Sequence, residues 1–434
     1  MLKGIENIGN IPELQKRLGM TFFLLLIYRI GVHVPTPGID GQALAAFFLQ
    51  AKGTLLGMFD MFSGGGLSRL SVFSLGIMPY ISASIIIELL AMVVPTLERL
   101  KKEGEAGRRK INRYTRYGTI LLSIIQSFGI AVGLESMQGP AGEMVVMFPG
   151  WGFRLLTILT LTTGTAFIMW IGEQITERGI GNGISLIIFA GIVANIPAAI
   201  INSVRLIKTG EMSLFLAMMI FILMLATIAA IVFVEMAQRR IPIQYAKRIQ
   251  GRRMVGGQST HLPLKINTAG VIPPIFASSI IMFPATIANF IDLPIMKKFS
   301  AAFVPTEFFY NLVYVALIFV FCYFYTAVTF KPDDVADNLK KFGGYVPGIR
   351  PGKRTAEYLD KILTRLTFWG AVYVSAVCVL PMILIGKFNV PFFFGGTALL
   401  IVVGVGIDTI QQIQSHLMSR NYEGLMRKAG ARRR

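Results

Sequence analysis

The sequence contains very few of the residues that build metal sites, disulfide frameworks or catalytic centres. Its 434 residues include two cysteines and three histidines, and only 15% are charged. Two cysteines cannot form a disulfide framework, and the histidines are scattered along the chain. No Walker-type phosphate loop, His-Glu-x-x-His or Gly-x-Ser-x-Gly motif occurs. We therefore expect a protein that is not an enzyme and that binds no metal or cofactor.

The sequence is rich instead in apolar residues, and 54% of it is hydrophobic. This composition is typical of an integral membrane protein. Ten apolar stretches are present, and most are long enough, at about 1.5 Å per residue, to cross a hydrocarbon layer of about 30 Å. They lie at residues 18–34, 72–94, 118–134, 153–172, 184–201, 213–234, 269–291, 308–330, 366–385 and 392–413.

The basic residues are distributed unevenly between these stretches. Most of the 42 lysines and arginines lie in the two termini and in the connections after spans 2, 4, 6 and 8. By the positive-inside rule, these connections and both termini face the cytoplasm. An even number of spans agrees with two termini on one side.

The span count predicts an all-α integral membrane protein of two inverted halves, each with five helices. We expect the first half at residues 1–201, an external hinge connection at 202–212, the second half at 213–413 and a basic cytoplasmic tail at 414–434. A secondary transporter with inverted halves is the alternative. The few ionisable residues inside the spans, Arg29, Glu88 and Asp408, count mildly against that alternative.

Three long connections are of special interest. The connection at 35–71 is expected outside, yet it is rich in Phe, Met and Leu, which would be an aggregation hazard in water. We therefore expect a short re-entrant helix near residues 55–70, folded back into the protein. The connections at 236–265 and 331–365 are long and rich in basic residues, and we expect them to project into the cytoplasm as functional loops.

Several motifs resemble the SecY family, whose members form the channel of the bacterial protein-export translocon. They are MFSGG at 61–65, GIMPYISAS at 76–84, KEGE at 102–105, GEQITERG at 172–179, QSTHLPLK at 258–265 and VPGIRPG at 346–352. The motifs follow the family's order and extend over essentially the whole chain. The resemblance implies a protein-conducting channel in the bacterial inner membrane, which translocates unfolded secretory polypeptides and releases apolar segments sideways into lipid.

The resemblance also implies an apolar pore ring, a plug and a lateral gate. The pore ring matches Ile77, Ile81, Ile184, Ile188, Ile275 and Ile401. The plug matches Phe59, Met61, Phe62, Ser63, Gly64, Gly65, Gly66, Leu67 and Arg69. The gate lies between spans 2, 3, 7 and 8, with polar positions at Ser84, Glu88, Gln126, Asn267 and Thr268. We expect interhelical hydrogen bonds at this gate to hold its resting state shut.

The basic loops resemble the family's docking sites for a motor and for the ribosome. The residues predicted to bind these partners are Arg239, Arg240, Lys247, Arg248, Arg252, Arg253 and Arg350. Arginine suits these contacts because it pairs bidentately with carboxylate or phosphate. The partners implied by the resemblance are the membrane subunits SecE and SecG, the SecA ATPase, the ribosome through its rRNA, signal peptides, unfolded preproteins and membrane lipid.

Overall fold

The computed structural model is predominantly helical. It describes residues 12–50, 57, 60, 63–137, 144–210, 213–245, 248–250, 253–255, 259–290, 307–388 and 396–431. The helices of the first half are α1 Pro12–Gly31, α2 Gly41–Gln50, α3 Met78–Val93, α4 Pro95–Lys102, α5 Glu105–Ser136, α6 Trp151–Arg178, α7 Gly183–Val193 and α8 Ile196–Lys208. Those of the second half are α9 Leu214–Met236, α10 Ile272–Phe290, α11 Phe308–Thr329, α12 Pro332–Lys341, α13 Lys353–Phe388 and α14 Gly396–Ala431.

A helix lies at each of the ten positions predicted for a membrane span. Seven helical segments of the described chain are long and apolar enough to cross a membrane, where α7 with α8 and α11 with α12 each count as one segment. The number is eight if α3 and α4, bent by 100° at Val94, count as one broken span. The all-α membrane fold is thus confirmed, whereas the count of ten crossings is seen only in part. Pro95, which follows Val94 and begins α4, accounts for the sharp bend.

Eight helices follow one another in a closed ring of contacts. In the first half α3 contacts α5, α5 contacts α6, and α6 contacts α7. In the second half α10 contacts α11, α11 contacts α13, and α13 contacts α14. The order of neighbours is therefore the same in each half. The ring closes at two places, which we call the front seam, where α10 meets α3 and α5, and the back seam, where α7 meets α14.

Small residues let the helices of this ring approach closely. A Cβ atom on Gly164 of α6 would overlap the carbonyl oxygen of Val72, and one on Gly396 of α14 would overlap the carbonyl oxygen of Val377 on α13. Close backbone contact of this kind replaces the hydrophobic driving force that helices lack in lipid. One large apolar cluster, with the fully buried Tyr28, Tyr310 and Tyr314, fills the interior of the ring.

Two boundaries differ from the sequence-based expectation. The connection at 202–212 is shorter than predicted, because α8 continues to Lys208 before a turn at Thr209 and Gly210. The tail predicted from residue 414 is a continuation of α14, which is helical to Ala431. Polar and basic residues propagate a helix as well as apolar ones do, so hydropathy marks the membrane segment and not the end of the helix.

The two long basic connections form a single folded unit and are not irregular loops. Strand β1 (Gln238–Tyr245) pairs antiparallel with β4 (Ser259–Lys265) on one side and with β5 (Gly344–Tyr345) on the other. Between β1 and β4, β2 (Arg248–Gln250) pairs with β3 (Arg253–Val255). Below this sheet lies an apolar cluster that includes Ile241, Leu264, Val346, Leu359, Ile362 and Leu363.

Candidate functional site

The six isoleucines predicted to line a pore meet at one apolar cluster. Ile77, Ile81, Ile188 and Ile401 are buried members of this cluster, and Ile184 and Ile275 are partly buried and pack against it. Their elements bring them together, since Ile77 immediately precedes α3, Ile81 lies on it, and the others lie on α7, α10 and α14. These are four of the five helices that form the two seams. The set therefore lies where one half of the ring meets the other.

A hydrogen-bonded turn formed by Asp60 and residues 63–74 lies next to this cluster. The carboxylate of Asp60 accepts the backbone N–H of Ser68 at 2.7 Å, and the backbone carbonyl of Asp60 accepts the N–H of Gly65 at 2.8 Å. The hydroxyl oxygen of Ser63 accepts the N–H groups of Gly66 and Leu67, each at 3.2 Å. Asp60 and Ser63 thus satisfy several backbone donors of a turn that would otherwise be costly to bury.

Helix α1 holds this turn through two carbonyl oxygens. The Tyr28 hydroxyl donates to the carbonyl of Ser63 at 3.2 Å, and the Arg29 guanidinium donates to the carbonyl of Gly64 at 3.1 Å. Gly64 has a φ of +70° and lies so close to α7 that an added Cβ would be 3.0 Å from the Cα of Gly191. Gly191 follows Ile188, one of the predicted pore residues, by three residues, or about 4.5 Å along the helix.

The structure describes only some of the residues that were predicted to form a plug. Ser63, Gly64, Gly65, Gly66, Leu67 and Arg69 belong to the described turn, whereas Phe59, Met61 and Phe62 lie outside the described residues. Reading the sequence alone missed the partners of this turn. Arg29 was singled out only as an ionisable residue inside a span, and its guanidinium donates to the Gly64 carbonyl. Asp60 and Tyr28 were not singled out. A charged residue inside an apolar span was the available signal for Arg29.

The residues predicted to form a lateral gate lie on helices at the front seam or beside it. Ser84 and Glu88 are half-buried, four residues apart on one face of α3. Gln126 lies on α5, and its buried Oε1 atom has no hydrogen-bond partner within the described part of the chain. Asn267 and Thr268 precede α10. The structure thus brings elements from both halves to this seam.

The hydrogen bonds of Asn267 and Thr268 differ from those that were expected. The side-chain amide of buried Asn267 donates to the Glu235 carboxylate of α9 at 2.7 Å, and Thr268 donates to the carbonyl of Lys265 at 3.1 Å. Both bonds stay within the second half, so they do not cross the front seam. Their position explains this, because residues 266–268 connect β4 to α10 and lie beside the end of α9, where the Ile266 N–H donates to the Ala237 carbonyl.

Five of the seven predicted docking residues lie on the folded unit that the two long basic connections form. The side chains of Arg239 and Arg240 are exposed on β1. Arg350 is exposed in a turn flanked by Gly348 and Gly352, which have φ values of +80° and +104°. The Thr355 hydroxyl donates to the Arg350 carbonyl and fixes that turn. Arg248 and Arg253 begin strands β2 and β3, and Lys247 and Arg252 lie outside the described residues.

Comparison with known proteins identifies similar sequences over nearly the whole chain. The family model for SecY matches residues 71–410. The protein translocase subunit SecY of Escherichia coli (strain K12) is 53% identical over 425 residues, which cover 97% of this chain and 96% of the relative. The protein translocase subunit SecY of Aquifex aeolicus (strain VF5) is 46% identical over 429 residues, which cover 99% of this chain and 100% of the relative.

Solved structures share the fold at lower sequence identity. A structure described as that of a protein conducting channel aligns with a TM-score of 0.66 at 17% sequence identity. The alignment covers 95% of this chain and 96% of the chain in that structure. Sec61 in the canine ribosome-channel complex aligns with a TM-score of 0.63 at 15% sequence identity. That alignment covers 95% of this chain and 96% of the Sec61 chain. At these identities the likeness shows the fold alone.

Proposed function

The chain belongs to the SecY family, and on this premise we propose that it is a protein-conducting channel of the bacterial inner membrane. It translocates unfolded secretory polypeptides across the membrane and releases apolar segments sideways into lipid. The resemblance found in the sequence motifs is confirmed by the family match over residues 71–410. The relatives are named as subunits of a protein translocase, and we assign no catalytic chemistry to the chain itself.

One observation carries this proposal: six isoleucines meet at one apolar cluster at the seams of the ring. They lie on α3, α7, α10 and α14 and at the residue before α3. A constriction of aliphatic side chains excludes water and therefore blocks ions by dewetting. The same side chains are joined to one another by packing alone, so they can separate around a passing polypeptide of any sequence. The turn at 60–74, which contacts α7 beyond Ile188, is the plug that supports this seal from the outer side.

The front seam is the route for lateral release. A signal peptide has an apolar stretch of roughly 7–15 residues, which lodges as a helix between α3 and α5 on one side and α10 and α11 on the other. Ser84, Glu88 and Gln126 supply polar groups on the first-half side of this route. Asn267 and Thr268 act within the second half, where they fix the start of α10.

The cytoplasmic unit built on β1, β4 and β5 is the docking surface for the partners that supply energy. Arg239, Arg240 and Arg350 are exposed on one rigid sheet and turn, which suits recognition of the carboxylates of SecA or the phosphates of rRNA. A ribosome as partner is supported by the structural neighbour described as Sec61 in a ribosome-channel complex. SecE and SecG complete the proposed membrane assembly.

The chain is a multi-pass membrane protein, and we place both termini in the cytoplasm because most basic residues lie in the termini and in alternate connections. The two halves are the functional units of the ring. The first half extends to the end of α8 at Lys208, and the second begins with α9 at Leu214.

The deciding experiment is reconstitution of the chain with SecE and SecG in lipid vesicles. After SecA, ATP and a secretory precursor are added outside, externally added protease should leave the precursor intact inside the vesicles. A precursor without its apolar signal segment is the matched control and should be digested. Digestion of the normal precursor, together with saturable uptake of a small solute, would instead support the secondary transporter with inverted halves.

A further inference from the structure

The glycine-rich turn between α6 and α7 is buried on the cytoplasmic side of the protein. Gly179, Ile180 and Gly181 are all buried, although a connection of this composition usually lies in water. The turn is inserted between α1, the first helix of the first half, and α14, the last helix of the second half. It therefore contacts a helix from each side of the back seam.

Side chains of α1 and α14 satisfy the backbone donors of this turn. The N–H of Ile180 donates to the hydroxyl oxygen of Thr21 on α1 at 3.0 Å, and Thr21 itself donates to the Arg17 carbonyl. The N–H of Gly181 donates to the side-chain oxygen of Gln412 on α14 at 2.9 Å. A buried N–H without a partner is costly, so these two acceptors fix the turn at the depth it occupies.

An apolar contact accompanies the two hydrogen bonds. Ile180 is buried in a small cluster with Leu14 of α1 and Leu417 of α14, and Leu18 and Ile413 pack against it. This cluster is separate from the large cluster that contains the pore isoleucines. Because Ile180 packs on both helices at once, moving α14 away from α1 would expose all of these side chains.

Two glycines are required by the geometry of the turn. A Cβ atom on Gly179 would lie within 2.4–2.7 Å of the Thr21 hydroxyl oxygen and of the Ile175 carbonyl oxygen, because the backbone passes so close to α1 and α6. Gly181 has a φ of +92°, a conformation that other residues rarely adopt, and a Cβ there would lie 2.7 Å from Leu186. Both glycines serve the close insertion of the turn and not a nucleotide phosphate.

The position of this turn defines an axis for the opening of the ring. The halves are joined covalently after α8, where the predicted external connection lies, and α7 contacts α14 along the back seam. We propose that the turn at 179–182 is an inter-half clasp, in which Thr21 and Gln412 are positioning residues that keep the back seam closed while the front seam opens. This inference rests on the proposed channel function.

Two pairs of variants test the hydrogen bonds of the clasp. Gln412→Met and Thr21→Val remove an acceptor at nearly constant volume, whereas Gln412→Glu and Thr21→Ser retain one. If the clasp positions the halves, the acceptor-free variants should slow precursor translocation about threefold to tenfold, and the conservative variants should restore it. Equal rates for Gln412→Met and Gln412→Glu would overturn the role of this acceptor.

A covalent lock across each seam tests whether the back seam is a pivot, which stays closed while the front seam opens. In a background with Cys322 and Cys378 replaced by alanine, cysteines at the exposed positions Arg178 and Ser415 would be joined by a flexible bis-maleimide across the back seam. Cysteines at Ile124 of α5 and Ile280 of α10 would be joined in the same way across the front seam. Translocation should stay within about twofold of the unlocked protein for the back lock and should be lost for the front lock.

The outcomes of the lock experiment distinguish this inference from the proposed function. If the back lock abolishes translocation while the unlocked protein is active, the clasp must open during transport and the pivot is overturned, but the channel function stands. If the unlocked protein and its unsubstituted parent both fail to protect any precursor, the proposed function itself fails. Full activity with both locks would contradict opening at the front seam and hence the pivot.

Discussion

The front and back seams join the same two halves but differ in the contacts that cross them. At the back seam, a backbone N–H of the first half bonds to Gln412 of the second, and Ile180 packs between helices of both halves. At the front seam, Asn267 bonds to Glu235 within its own half, and the Gln126 carbonyl oxygen has no hydrogen-bond partner in the part of the chain that the structure describes. Polar groups thus join the two halves at the back seam. At the front seam, Asn267 and Gln126 form no hydrogen bond between the halves within the described part of the chain.

This difference bears on how a membrane channel opens to one side only. Hydrogen bonds between membrane helices contribute on the order of 0.6 kcal/mol each, so a few of them decide which contact separates first. A seam held mainly by the packing of side chains can separate when an apolar segment enters. A seam fixed by a buried turn, whose backbone donors need their partners, resists separation.

The pore isoleucines are common to both seams, and their loss should have the largest effect. Replacing all six with glycine removes the aliphatic side chains that exclude water, so the resting ion conductance of reconstituted channels should rise at least about tenfold. Single-channel recording in planar bilayers measures this directly. Replacing the same six with leucine keeps an aliphatic constriction and should leave the membrane sealed. An unchanged conductance in the glycine variant would place the seal elsewhere.

The hydrogen bonds from α1 to the plug turn should have the next largest effect. Arg29→Ala removes the donor to the Gly64 carbonyl, and Tyr28→Phe removes the donor to the Ser63 carbonyl. Leaving a buried carbonyl unpaired costs about 1–2 kcal/mol, which corresponds to about a tenfold increase in the time that the plug is displaced. The resting conductance should rise accordingly. Arg29→Lys retains a donor and should leak less than Arg29→Ala, and an equal leak would argue against this bond.

The pair formed by Asn267 and Glu235 tests whether the second half moves as one body at the front seam. Asn267→Leu leaves the buried Glu235 carboxylate without its amide donor, which should destabilise the protein by about 2 kcal/mol. Thermal unfolding of the purified protein in detergent, followed by size-exclusion chromatography, measures the loss. Thr268→Val removes only a local bond to the Lys265 carbonyl and should cost less than Asn267→Leu. The reverse order would mean that the Glu235 contact does not anchor α10.

The smallest effect is expected at the contact between Lys265 and Asp408. The two charged atoms are 3.9 Å apart, and both side chains are exposed. An exposed pair of this kind contributes about 0.5 kcal/mol or less. Asp408→Asn should therefore change the translocation rate by less than about twofold, and 0.5 M salt should abolish even this difference. A larger loss would indicate that Asp408 contributes to the back seam, because it lies four residues before Gln412 on α14.

Several parts of the fold and site could be predicted from the sequence because they depend on local composition. Apolar runs located a helix at each of ten positions. The two long basic connections were expected to project from the membrane, and they carry the exposed Arg239, Arg240 and Arg350. The sheet formed by β1, β4 and β5 was missed. Its strands belong to two connections that are distant in the sequence, and the pairing depends on their meeting in space.

The contacts of the ionisable residues were also beyond sequence reasoning. The charge of Arg29 marked it as unusual, but its partner is a backbone carbonyl, which has no signature in the sequence. Asn267 was expected to bond across the front seam, and its actual partner, Glu235, is close because β1 and β4 return the chain to the end of α9. The burial of the turn at 179–182 depends on α14, which lies more than 200 residues further along the chain, so the sequence around the turn does not indicate it.

Hydropathy, charge asymmetry and motifs are properties of short segments, and they suffice to identify a helical membrane protein of the SecY family. The difference between the two seams is visible only in the packed structure. Which donor meets which acceptor depends on the order in which helices close into a ring, and two segments of equal hydropathy can lie at either seam. The physical reason is that burial makes each backbone N–H require a partner, and only the packed structure shows which side chain supplies it.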